Sequence, residues 1–242
     1  MRSSGLHYFP VAWPVLLVLF VLLGAVVSIV AAGIVRFASA SMGISARAML
    51  TILLLALVGS YVNIPVGYLP GRSISVPTTI DFFGVPYVVP MVREWPATVI
   101  AVNLGGAVIP TVLSLYLLVK NNLYVLGLAG IAVVTVVCHA LARPVYGLGV
   151  AEPVFIPPVI TALVAVLLSR RYAAPLAYIS GSLGTLIGAD LLNLNRIQGL
   201  GAPVASIGGA GTFDGIFVTG LLAVVYAAVG MHLNSQQQLH AR

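Results

Sequence analysis

The chain has 242 residues, of which 60% are hydrophobic and only 7% are charged, and its formal net charge is +6. Soluble globular domains carry about 25% charged residues, so this composition excludes that class and indicates an integral membrane protein. The basic residues lie scattered between apolar runs, which favours a role in membrane topology over a nucleic-acid surface.

Seven apolar segments approach the length of about 20 residues that a membrane-spanning helix needs. Helices satisfy their backbone polar groups internally, as lipid requires. We therefore predict an all-α membrane protein, a polytopic bundle of about seven transmembrane helices, in one domain over residues 1–242 that ends in a polar tail at 232–242. The predicted spans are Val11–Val35, Ala48–Ile64, Ala97–Val119, Leu123–Leu141, Pro157–Ser169, Ala173–Leu194 and Ile207–Met231.

The connections between these spans alternate in length. Those after the first, third and fifth spans are short, and they contain or adjoin Arg36, Arg47, Lys120, Arg170 and Arg171. Short basic loops favour the cytoplasmic side, so the N-terminus is predicted outside the cell and the C-terminus in the cytoplasm.

The long connection over about 66–96 is predicted to lie outside. Five prolines divide it into β-prone runs. Its expected fold is a short hairpin or a re-entrant flap. It serves either as an ordinary external connection or as a lid or substrate-docking element.

Two aspartates lie inside the last two apolar segments. An ionisable side chain at membrane depth costs about 2.5–3.5 kcal/mol on insertion scales and usually marks a function. Asp190 lies twelve residues before Ala202 in the connecting turn, and Asp214 lies twelve residues after it. In an antiparallel helix hairpin this spacing predicts similar depth for the two carboxyls, which would then share one proton.

The neighbours of these aspartates are the candidate substrate-binding residues. Asn193 shares a helix face with Asp190, three residues earlier, and its amide suits a carboxylate or a substrate backbone. The glycine-rich run before Asp214 weakens a helix and lets another backbone approach closely. This run contributes Gly209, Gly211, Thr212 and Gly215 to the predicted site, although small residues also serve as helix-packing surfaces.

Other ionisable residues give weaker signals. Cys138 is interpreted as a small core residue, and His139 as an interfacial residue or a proton relay. His139, Glu152 and the two aspartates are a further candidate cation site, but no metal-ligand spacing such as His-Glu-x-x-His is present. The chain also lacks a glycine loop beside its single lysine and a Gly-x-Ser-x-Gly motif. We therefore predict no metal and no cofactor.

The segments Gly188–Leu194 and Gly209–Phe217 resemble those of an uncharacterised family of prokaryotic polytopic membrane proteins, and the resemblance covers most of the chain. It implies an integral protein of a prokaryotic cell membrane. The last third also resembles, more distantly, the Gly-x-Gly-Asp intramembrane aspartyl proteases of the presenilin, signal-peptide-peptidase and prepilin-peptidase group.

That protease resemblance lies in the placement of one aspartate on each of two neighbouring spans, one of them after Gly-x-Gly. Here Gly209-Ala-Gly211 precedes Asp214, and Asp190 is on the preceding span. The chain departs from the pattern because Thr212 and Phe213 intervene before Asp214 and no Pro-Ala-Leu follows it.

The leading hypothesis for function is an intramembrane aspartyl protease-like enzyme whose catalytic residues are Asp190 and Asp214. Its partners would be the lipid bilayer and a membrane-protein or peptide substrate, with no nucleic acid. The alternative is a cation- or proton-coupled transporter that uses the same two aspartates. A non-catalytic membrane scaffold is the third hypothesis.

Overall fold

The computed structural model describes residues 13–95, 97–145, 149–153, 155–197, 203–209, 220 and 222–227. Helices and strands alternate along this part of the chain. The helices are α1 Trp13–Ser41, α2 Ala46–Gly59, α3 Ile109–Lys120, α4 Tyr124–Leu141, α5 Ile156–Leu168, α6 Ala173–Thr185 and α7 Leu194–Ile197, and residues 222–227 are also helical. The strands are β1 Asn63–Leu69, β2 Arg72–Phe82, β3 Val85–Trp95, β4 Thr98–Asn103, β5 Arg143–Val145, β6 Gly149–Ala151 and β7 Val204–Ile207.

The prediction of an all-α bundle is wrong, because the described residues contain three small sheets. The segment Ala97–Val119 was predicted as one helix, but its first part forms β4, and a π-helical turn at Leu104–Val108 leads from there into α3. The β-branched residues that dominate Thr98-Val-Ile-Ala-Val favour a strand, and the Asn103 side chain then caps the helix that follows.

The number of predicted spans is also wrong. Among the described residues, two helical stretches are long and apolar enough to cross a membrane, Tyr124–Leu141 and Ala173–Ile197. A third is reached if Ala31–Ser41 and Ala46–Gly59, bent by 113° at their junction, count as one broken span. The helix of the predicted span Pro157–Ser169 has only 13 residues, which is shorter than a bilayer requires. The helices found are compatible with a membrane location.

A three-stranded sheet has the order β1-β4-β7, with β1 antiparallel and β7 parallel to β4. The π-helical turn after β4 contacts the end of α2 through Gly105 and Gly59. A Cβ on Gly59 would lie 3.0 Å from the Gly105 nitrogen. The α2 helix therefore packs directly against the π-helical turn, and this contact fixes where the sheet lies relative to the helices.

The predicted long connection forms a regular hairpin. Strands β2 and β3 pair along eleven residues, from Arg72 opposite Trp95 to Phe82 opposite Val85. Phe83 and Gly84 at the turn both have positive φ, at 53° and 79°, as a tight type I′ turn requires. The segment thus takes the hairpin form, one of the two folds considered for it, whereas a role as a lid and a location outside the cell stay predictions.

Helix α6 lies at the centre of the core and packs against α3, α4 and α5. Its side chains Leu176, Tyr178 and Ile179 are fully buried. The contact with α4 is close because a Cβ on Gly184 would lie 2.6 Å from Val134. Small residues therefore allow α4 and α6 to pack backbone to backbone.

Candidate functional site

Asp190 lies in a break of the helix that α6 begins. After Thr185 the chain makes a π-helical turn at Leu186–Asp190 and a 3-10 turn at Leu191–Asn193 before α7. Such turns inside helices occur frequently at functional sites. At this break the Asp190 side chain is half-buried, whereas Gly188 and Ala189 before it are buried.

The Asn193 side chain makes hydrogen bonds within this break in the helix. Its Nδ2 atom donates hydrogen bonds to the carbonyl oxygens of Gly188 at 2.8 Å and Ala189 at 3.0 Å, and its Oδ1 atom accepts one from Arg196 at 3.1 Å. The side chain is 1% exposed. Its contacts in this structure are therefore structural, and its predicted role in substrate binding stays a prediction.

The Asp190 carboxylate is held by the end of strand β7. The main-chain N–H of Gly208 donates to Asp190 Oδ2 at 2.7 Å. Gly208 and Gly209 have φ of 93° and 87°, and a Cβ on Gly208 would lie 2.5 Å from the Ala107 nitrogen. Only glycine fits at Gly208, because both its left-handed conformation and its packing against the π-helical turn exclude a side chain.

Beside this contact, a polar network joins the three strands of the sheet. Asn103, 1% exposed, donates to the Ser60 carbonyl oxygen at 2.7 Å and to Asn63 Oδ1 at 3.0 Å, and its own Oδ1 accepts from the Gly106 N–H at 2.8 Å. The Ser206 hydroxyl lies 2.6 Å from both Asn63 Oδ1 and the Gly209 carbonyl oxygen and donates to one or the other. The network thus fixes the glycine turn that contacts Asp190.

A second carboxyl, Glu152, lies between β6 and α5 and close enough to Asp190 for their charges to interact. Burial raises the pKa of Glu152 to about 7, an effect that the Cys138 thiol opposes and the negative charge of Asp190 reinforces. Its Oε1 atom is buried without a hydrogen-bond partner in the described part of the chain, as is Nδ1 of the half-buried His139. Two carboxyls close enough to interact can bind and exchange a proton.

Cys138, which links Glu152 to α6, is fully buried, as the sequence predicted for a small core residue. Its Sγ atom lies 3.5 Å from Thr185 Oγ1. The candidate cation site of His139, Glu152 and the two aspartates does not form within the described residues, where no three His, Cys, Asp or Glu side chains are placed to hold a metal ion.

The structure brings two of the predicted site residues, Asp190 and Gly209, into the same region. Gly209 directly follows Gly208, whose N–H donates to Asp190. The predicted catalytic Asp214 and its neighbours Gly211, Thr212 and Gly215 lie outside the described residues, as do the polar tail and most of the predicted seventh span. The pairing of Asp190 with Asp214 therefore stays a prediction.

Sequence reasoning missed the network of Asn63, Asn103 and Ser206. The two asparagines were visible as single amides inside apolar runs, in Tyr61-Val-Asn-Ile and Ala101-Val-Asn-Leu. They are 40 residues apart, and the pairing of β1 with β4 that brings them together has no local signal in the sequence. Glu152 was considered only as a member of a candidate cation site, and no local signal in the sequence indicated its partial burial.

The chain matches a known protein family. No curated protein and no solved structure is detectably similar to the chain. The family described as Protein of unknown function (DUF1614) matches residues 57–226, which include the three-stranded sheet, the broken helix with Asp190 and the glycine-rich run. Because this match covers well over half of its length, the chain belongs to the DUF1614 family.

Proposed function

We propose that this protein is an intramembrane aspartyl protease-like enzyme that hydrolyses peptide bonds with Asp190 and Asp214. The observation that supports this proposal is the position of strand β7, which lies at an edge of its sheet and ends at the glycine that binds Asp190. An extended peptide can add to such an edge through main-chain hydrogen bonds. A substrate strand bound there would run directly toward the Asp190 carboxylate.

The pairing of β7 with β4 leaves donors for such a peptide. Val99 of β4 donates to the Pro203 carbonyl oxygen, and Val99 is in register with Val204. In a parallel ladder, alternate residues face the neighbouring strand, so the N–H groups of Val204 and Ser206 point to the other edge. Among the described strands only β4 pairs with β7.

The chemistry requires two carboxyls of unequal protonation. One ionised aspartate removes a proton from a water molecule, whose oxygen attacks the scissile carbonyl carbon, while the other, protonated, donates a hydrogen bond to the carbonyl oxygen. Proton transfer to the amide nitrogen then breaks the C–N bond and releases a carboxylic acid and an amine. The two carboxyls titrate as a unit, so the proposal assigns the roles to the pair.

The proposed setting is the cell membrane of a prokaryote, with the substrate a peptide segment inside the lipid bilayer. The short basic connections around Arg36, Arg47, Lys120, Arg170 and Arg171 support a cytoplasmic location for that end of the helices. On this orientation the N-terminus lies outside and the C-terminus in the cytoplasm.

The direct test is cleavage of a synthetic 20-residue Leu/Val-rich peptide by the purified protein in liposomes, followed by mass spectrometry. We expect Asp190→Asn and Asp214→Asn each to reduce cleavage by at least about a hundredfold, as loss of a catalytic general base does. Asp81→Asn, at the exposed hairpin, is the matched control and should cleave normally. Cleavage that persists in either aspartate variant would rule out the protease.

Val204→Pro tests the docking edge separately from the catalytic pair. Proline removes one main-chain donor from the edge of β7 that β4 does not use, and edge strands tolerate proline. We expect a raised KM with a smaller change in kcat. An unchanged KM would show that substrate does not bind along β7.

A proton-coupled transporter that uses the same two aspartates is the second candidate. The observation that favours it is the proximity of Glu152 to Asp190 beside a broken helix, an arrangement suited to proton relays. In liposomes that enclose a pH-sensitive dye, a transporter would show proton flux that Asp190→Asn abolishes, with no peptide cleavage. Cleavage without proton flux would favour the protease.

A further inference from the structure

An apolar groove runs between α2 and α3, on surfaces that the site around Asp190 does not use. It has a volume of about 470 Å³, within the range of about 300–1,000 Å³ for ligand sites. Ile44, Ala48, Ile52 and Leu55 line one wall at helical spacing, and the other wall extends along α3 from Val108 to Tyr116. The groove therefore follows the helix axes.

The two helices that form the groove are antiparallel. Gly43, just before α2, accepts a hydrogen bond from Lys120 Nζ at the end of α3, and Gly59 at the end of α2 meets Gly105 before the start of α3. From Ala48 to Leu55 the wall extends about 10 Å along α2, at 1.5 Å per residue, and Ile44, just before the helix, lengthens it. The helical part alone covers about two thirds of the roughly 15 Å of one bilayer leaflet, half of a hydrocarbon core about 30 Å thick.

One end of the groove is basic. Lys120 is exposed, and its Nζ atom lies 5.4 Å from the ring centroid of Tyr116, which lines the groove. Arg47, also exposed, lies in the first turn of α2 next to the lining residue Ala48. The first 80 residues of the chain contain no acidic residue, so the segment that carries α1 and α2 supplies no carboxylate to neutralise these cations.

We propose that this groove binds one acyl chain of an anionic phospholipid, with its phosphate at Lys120 and Arg47. Apart from Tyr116 the walls carry only apolar side chains, which suit a hydrocarbon chain, and the cations at one end suit a negatively charged headgroup. A groove with apolar lining and cations at one end has the same polarity as a lipid molecule. This site is independent of the proposed catalytic function.

Quenching by brominated lipids tests the proposal in the full-length protein. The probe is Tyr116→Trp in a background of Trp13→Phe and Trp95→Phe, which leaves one indole at the groove. The protein is reconstituted in vesicles of phosphatidylcholine and phosphatidylglycerol, in which either the one or the other lipid carries bromine on its acyl chains. We expect stronger quenching, at equal mole fraction, when phosphatidylglycerol carries the bromine.

Substitutions separate the headgroup from the chain. Lys120→Gln should reduce the preference for phosphatidylglycerol about fivefold, as expected for one cation at an anionic membrane surface, and Arg47→Gln should act similarly. Lys120→Arg should retain the preference, and Arg143→Gln, which removes an equal charge from β5, should not change it. Ala48→Phe fills the groove and should reduce quenching by both lipids, whereas Leu50→Phe, at an exposed position of α2 outside the groove lining, should not.

Three results would overturn the proposal. Equal quenching by the two lipids would show ordinary contact with surrounding lipid. Quenching that Ala48→Phe leaves unchanged would show that the acyl chain lies elsewhere. Absence of quenching together with disulfide-linked dimers of Tyr116→Cys would show that a second copy of the chain occupies the groove.

Discussion

Glu152 has a carboxyl that is partly withdrawn from water, and its pKa is about 7 compared with an ordinary value of 4.5. The folded protein therefore holds this proton more tightly than the unfolded chain. It follows that the contribution of Glu152 to the free energy of unfolding is complete below about pH 4.5 and is lost as the pH rises to about 7. We expect Glu152→Gln to flatten the decline in thermal stability over this range, as measured by circular dichroism in detergent micelles.

Asp81→Asn is the control for that measurement, because Asp81 is an exposed carboxyl on the hairpin. It should leave the decline of stability with pH unchanged. An equally steep decline in the Glu152→Gln variant would mean that other groups cause it and that the Glu152 carboxyl is not withdrawn from water.

At the scale of elements, the junction between β4 and the π-helical turn that leads into α3 depends on Asn103. Asn103→Ala removes the helix cap at the Gly106 N–H and takes one hydrogen-bond donor from each of the Ser60 carbonyl oxygen and Asn63 Oδ1. We expect the free energy of unfolding to fall by about 2–4 kcal/mol, the combined cost of a lost cap and buried unpaired groups. Chemical denaturation in micelles measures this loss.

Asn195→Ala provides the matched comparison, because Asn195 is exposed in the short helix α7. Its effect should stay within about 0.5 kcal/mol, as is usual for surface substitutions. A similar small effect for Asn103→Ala would show that the sheet and the helix are positioned by packing alone.

The sequence predicted the elements whose signals are local. The predicted helix at Leu123–Leu141 is confirmed, and Ala173–Leu194 is helical but broken by the turns at Leu186–Asn193, since long apolar runs suffice to predict such helical stretches. Strand β4 was missed because an apolar run of β-branched residues reads equally well as a buried strand or as part of a helix. Its partners β1 and β7 are distant in the sequence. Only pairing with them in the folded protein determines that this run is a strand and not part of a helix.

Within the candidate site, Asp190 was predictable as a charge in an apolar run, whereas its partner was not. The bond from Gly208 depends on the break in the helix, the register of β7 and the packing of Gly208 on Ala107. Each of these is a contact between distant segments. The position of Glu152 likewise depends on the reversal of the chain between β5 and β6.

At the scale of the whole molecule, the β2–β3 hairpin is separable from the core. Leu69 and Thr98, on either side of it, are themselves paired in the β1–β4 ladder. We expect that replacing residues 70–97 with Asn-Gly, a favoured two-residue turn, will change the free energy of unfolding by less than about 1 kcal/mol. Thermal unfolding in micelles checks this.

The control for the excision keeps the hairpin and changes only Phe83→Asn at its turn, where φ is already positive. A loss of more than about 2 kcal/mol on excision but not in the control would show that the hairpin supports the core. If excision preserves stability but abolishes cleavage, the hairpin acts as the lid or docking element that the sequence suggested.

The parallel pairing of β4 with β7 has a consequence for how the protein is made. The paired residues Val99 and Val204 are about a hundred residues apart, and ribosomes add roughly 5–20 residues per second. During synthesis β4 therefore remains without its parallel neighbour for about 5–20 s. Throughout that interval the edge of β4 that faces away from β1 stays open, whereas Asp190, made only 18 residues before Gly208, waits about 1–4 s for its N–H donor.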